Sequence, residues 1–119
     1  MKTLKKLRDF ENSYLDRKFR IDWNIIKLNK HDSYDHNKMI CEVCLWLMCH
    51  NIPFATQVRF KTKAIPDIIC PTHIRKIIEV RASETDKKSL DKLKRLPEEL
   101  RKEVSYVSAW YVFNERDLL

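Results

Sequence analysis

Two short apolar runs each carry one carboxylate: Ile65-Pro66-Asp67-Ile68-Ile69 and Ile77-Ile78-Glu79-Val80-Arg81. An isolated carboxylate among β-branched residues costs several kcal/mol to bury or is forced to a raised pKa, so each acid needs a partner. Cys70-Pro71-Thr72-His73, between the runs, has turn chemistry. A hairpin built on it sets Asp67 and Glu79 on neighbouring strands, and two carboxylates so placed make a site for a hard divalent cation such as Mg2+.

A third acid stands apart from these. Glu42 is the only charged residue between Met39 and Cys49, in a stretch whose composition predicts a buried helix, where Glu is rarely tolerated without a partner. A salt bridge, to Lys38 one turn earlier or to Arg81, is the plain account. Membership of an acidic site with Asp67 and Glu79 is the alternative.

The elements that must position these residues follow from periodicity. Leu4, Leu7, Phe10, Tyr14 and Leu15 recur at helical spacing and predict an amphipathic basic helix over about 2–18. Residues 19–26 are ambiguous between strand and irregular packing, and 27–35 read as a connection. A helix from about residue 35 to about 50 ends at Asn51 and Pro53. Ala55 to Lys61 alternates as a strand with one polar face, and 64–70 and 74–82 predict two more strands rich in Ile and Val. After Ser83, a candidate N-cap, Leu90, Leu93, Leu96 and Leu100 mark a helix interrupted at Pro97. Val104 to Phe113, apolar on both sides, predicts a final central strand. The sum is an α/β fold: a basic N-terminal accessory segment over 1–34, then an αβββαβ core over 35–119, together one compact domain.

The chain has 119 residues and a formal charge of +7. Nine Lys/Arg against four Asp/Glu fall in residues 1–30, so the basic excess is N-terminal and suits a polyanion partner. No run approaches a membrane span and no signal-like stretch opens the chain, which predicts a soluble, intracellular protein without a membrane partner. Cys41, Cys44, Cys49 and His50 have short spacing, but an apolar helix without Gly or Pro favours core cysteines over zinc. Among the four histidines His36, near the start of the Glu42 helix, is the one worth testing. Trp46, Trp110 and Tyr111 read as core.

A Glu on the first core helix, Pro66-Asp67 on the second strand and Glu79-Val80-Arg81 on the third resemble the PD-(D/E)XK nuclease superfamily, the restriction-endonuclease-like fold, over about residues 36–113. The resemblance implies that Asp67 and Glu79 bind Mg2+ or Mn2+ with the Val80 carbonyl as a further ligand, and that Glu42 completes or orients the site. Gln57 would contact metal, water or backbone phosphate, or is an ordinary solvated strand residue. The implied function is a metal-dependent endodeoxyribonuclease that hydrolyses DNA phosphodiesters under direction from structure or strand state. Likeness to small resolvases of the archaeal Holliday-junction type would imply a homodimer.

One departure matters. The family usually has Lys where this chain has Arg81, a Lys that positions or activates the nucleophilic water. Arg stays protonated, so it orients water or binds phosphate but is no base. Lys38 and Lys63 are the candidate substitutes, whereas Lys76, three positions from Glu79, points to the opposite face. The competing function is an inactive nuclease-fold protein that binds nucleic acid.

Overall fold

A computed structural model describes residues 2–81, 86–109 and 112–119, and the side chains of all of these except 2 and 86–90. The N-terminal amphipathic helix forms as α1, Lys2–Tyr14. Leu7, Phe10 and Leu15 are buried, and the Phe10 ring meets that of Phe60 edge-on at 6.0 Å. This segment is thus packed into the core through its apolar face.

The second helix, α2, is Tyr34–Cys49. It starts where the Ser33 hydroxyl accepts from the His36 N–H at 3.2 Å, an N-cap bond. Past its C-cap His50 stands Asn51, whose φ of 55° is the left-handed conformation that glycine usually supplies in a chain that has none. Met39, Ile40, Val43, Cys44 and Leu47 form the buried face. Leu45 and Met48 on the other side stay 53% and 41% exposed. Composition overstated the burial of this helix, because the sheet covers one face of it only.

Among the described residues four strands pair in the order β1-β2-β3-β4: Ala55–Thr56, Ile68–Ile69, Ile77–Arg81 and Val104–Ser108. The first three run antiparallel and β4 is parallel to β3. A parallel neighbour needs a crossover; α3, Asp86–Arg95, and a 3-10 helix, Glu98–Glu103, lie on it. The expected interruption at Pro97 is present. The candidate cap Ser83, the Leu90 side chain, Trp110 and Tyr111 lie outside the described residues.

Side-chain parity divides the core between the two faces of the sheet. Ile68, Ile78 and Val80 pack with α2, while Ile69 and Ile77 pack with Phe10, Leu15, Phe60, Leu96 and Leu100. That is why the Ile-rich strands lack a polar face. Two expectations fail here. Among the described residues the last strand stops at Ser108 and pairs with β3 alone, so β2 and β3 are the inner strands and β4 lies at the end of the sheet. The run from Ala55 is paired as strand for two residues only, because Gln57 turns left-handed at φ 58°. Beyond that turn the chain changes partner: Asp16 N–H donates to the Arg59 carbonyl at 2.9 Å and Lys61 N–H to that of Tyr14 at 2.8 Å.

Candidate metal and nucleic-acid site

The turn after β2 closes as the sequence suggests, with Cys70 N–H donating to the Lys76 carbonyl at 2.8 Å. Ile68 pairs with Ile78, and one step further that register sets Asp67 against Glu79; a second step sets Pro66 against Val80. Pro66 has no N–H to give, so regular pairing stops. Side chains take its place: Asp67 Oδ2 accepts from the Val80 N–H at 2.7 Å, and the Asp67 N–H donates to Glu79 Oε1 at 2.9 Å. The N–H and C=O of one strand residue face the same neighbour. The Val80 carbonyl is therefore directed to the edge where Pro66 offers no donor.

His36 reaches this corner from the first turn of α2. Its Nε2 lies 3.4 Å from Asp67 Oδ2 and its Nδ1 3.3 Å from Asp32 Oδ2, which leaves the imidazole between two carboxylates. Hydrogen bonding to Asp67 and the charges of both acids raise the His36 pKa above its ordinary value, against the opposing effects of burial and of Lys92. The one histidine singled out by position is the one that meets an acid of the pair.

A cleft of about 220 Å³ opens beside Glu79. Pro66, Leu93, Leu96, Val104 and Tyr106 form apolar wall, and Lys63, Lys92 and Arg95 bring positive charge. Of the two Lys candidates, Lys63 is in this cleft, held at φ 71° in a left-handed turn, and Lys38 is not among its lining. Lys92 and Arg95 were missed. Their only signal was basic residues in the last turn of α3, a pattern that helix-dipole complementarity explains equally well.

The remaining expected residues are placed differently. Arg81 stacks its guanidinium 3.7 Å from the centroid of the Tyr106 ring, a cation–π contact across the β3–β4 pair. Gln57 is exposed and lines a second hollow, not the Glu79 cleft. Glu42 is half-buried on α2; at 100° per residue it lies well round from the face that carries His36, Ile40 and Val43. Among the described residues no group of three or more His, Cys, Asp or Glu could hold a metal ion. The acids brought together are Asp67 and Glu79, without Glu42.

The α2 cysteines sit differently from one another. Burial pushes the Cys44 thiol up to about 12 and raises that of Cys70 as well, while Cys49 is exposed. Among the described residues no helix is long and apolar enough to cross a membrane. Comparison of the chain with protein-family models, curated proteins and solved structures finds no match.

Proposed function

We propose that this protein is a divalent-metal-dependent endodeoxyribonuclease of the restriction-endonuclease-like fold. The observation that carries the reading is the Asp67–Glu79 corner: two carboxylates interlocked where Pro66 ends the strand pairing, beside a cleft with three cations. The order of helix, antiparallel β1-β2-β3, crossover and parallel β4 supports it, as it is the order that fold calls for.

The donor set fits Mg2+ or Mn2+. Each carboxylate accepts from one backbone N–H, the Val80 carbonyl adds another hard oxygen, and Mg2+ is commonly held by one or two carboxylates with water and phosphate as its other ligands. Such an ion supplies Lewis-acid polarisation of the phosphate and an acidified water. The chain's own part is to hold the two acids rigid through the β2–β3 backbone and to gather phosphate charge with Lys63, Lys92 and Arg95. A guanidinium is no base, so Arg81 orients but does not deprotonate.

A second reading is favoured by the Arg81–Tyr106 stack: with its cation engaged on a ring, the chain binds nucleic acid without cutting it. A nicking time course on supercoiled DNA with Mg2+, Mn2+ or chelator separates the two. Metal-dependent nicking that disappears in Asp67→Asn supports the nuclease; binding without nicking at any metal concentration supports the alternative.

A further inference from the structure

The Glu79 cleft has a neighbour. A second hollow of about 380 Å³ is lined by Phe19, Arg20, Lys27, Gln57 and Arg59, and Ile65 is part of the wall of both. Ile65 is 57% exposed, a large apolar side chain standing between two basic hollows and next to Pro66. Each hollow also carries an aromatic ring with an arginine on it: Arg59 lies 5.5 Å from the centroid of Phe19, and Arg81 lies 3.7 Å from that of Tyr106. The Nε atoms of both arginines are buried without an acceptor among the described residues. Phe19 is 53% exposed.

Single-stranded DNA needs this combination: positive charge to follow the backbone, and rings on which unpaired bases stack, reinforced by arginine. Exposed Ile is a residue type that enters between bases and separates them. Charge complementarity selects the occupant, since Arg59, Lys63 and Arg95 stand along the two hollows against Asp16, while Asp22 offsets Arg20 and Lys27 and the Lys92 and Glu79 of the first hollow add one charge of each sign. A duplex presents its bases already stacked and has no use for the two rings.

We infer that the paired hollows form a track for one unpaired DNA strand, with bases seated at Phe19 and Tyr106 and parted by Ile65, which delivers the backbone to Glu79. As to cutting, this rests on the nuclease reading above; as to binding, it does not.

The test is fluorescence anisotropy of a labelled oligo-dT and of a blunt duplex of equal length, in chelator, with cleavage of a flapped duplex in Mn2+ run in parallel. Wild type should bind the single strand more tightly than the duplex. Phe19→Ala and Ile65→Ser, both at exposed positions that leave the core intact, should each weaken single-strand binding by roughly tenfold while duplex binding changes little. A 2-aminopurine in the oligonucleotide should lose less fluorescence on binding to Phe19→Ala than to wild type. Equal affinity for the two DNAs, or variants that bind the single strand like wild type, overturns the track even if the protein cuts. Single-strand preference that depends on Phe19 and Ile65, in a protein that cuts nothing, supports the track and removes the nuclease instead.

Discussion

Asp67 and Glu79 hold each other across the end of the β2–β3 pairing: the backbone of Asp67 donates to the Glu79 carboxylate at 2.9 Å, and the Asp67 carboxylate accepts from the residue after Glu79 at 2.7 Å. The same two side chains thus finish the sheet and form the candidate site. Asp67→Ala should abolish metal-dependent nicking and also destabilise the fold, by about 1–3 kcal/mol, because the Val80 N–H loses its acceptor. Asp67→Asn keeps an acceptor oxygen and should separate the effects, with near-normal urea unfolding and no nicking. Nicking that survives in both Asp67→Asn and Glu79→Gln refutes the site.

His36 predicts a pH dependence of stability in metal-free buffer. Its pKa is raised in the fold above 6.5, so the folded protein holds the proton more tightly than the unfolded chain. The stabilisation is complete below the ordinary value and is lost as pH rises through the higher folded value. Urea unfolding at about pH 5.5 and about pH 8.5 should show wild type more stable than His36→Gln at the acid end, with the gap shrinking at the alkaline end. A gap that does not change with pH contradicts the Asp32–His36–Asp67 arrangement.

Arg81 and the lysines divide the two functional readings. In an active enzyme Arg81→Lys should keep or raise the nicking rate, and Arg81→Ala should lower it by on the order of a hundredfold, the scale of losing one electrostatic group. Lys63→Ala should also slow nicking, since Lys63 shares the cleft with Glu79, and Lys38→Ala should not. Circular dichroism of each variant excludes misfolding. An active wild type indifferent to Arg81 and Lys63 removes both from the mechanism.

Helix α1 cannot be tested by deletion, because Phe10 and Leu15 belong to the core. Leu15→Ala should cost about 2–5 kcal/mol, the range for a buried Leu, and removal of residues 2–18 should unfold the protein. Its charges can be tested in place. Lys5→Gln with Lys6→Gln should leave stability unchanged; if these lysines meet phosphate, the slope of log K against log salt for duplex DNA should flatten by about 0.9 per lost contact. A steady slope assigns them to solvated surface.

Periodicity and turn chemistry by themselves determined the two main helices, the β2–β3 hairpin and the meeting of Asp67 with Glu79. These are local consequences: Ile and Val runs on either side of Pro71 leave little choice of partner, and strand parity then sets the face of each acid. His36 was marked by its place on α2, although its contact with Asp67 was not visible. Tertiary structure alone decided the rest. Gln57 left the strand because the backbone turned left-handed there and the following residues paired with the end of α1, a choice made by distant partners. Glu42 fell away from the acids because the sheet covers one face of α2, and helix rotation places Glu42 off that face. Arg81 met Tyr106, and Lys92 and Arg95 entered the Glu79 cleft, because the parallel register of β4 and the packing of α3 brought remote segments together. Composition records which residues are available; register and the docking of layers decide which of them touch.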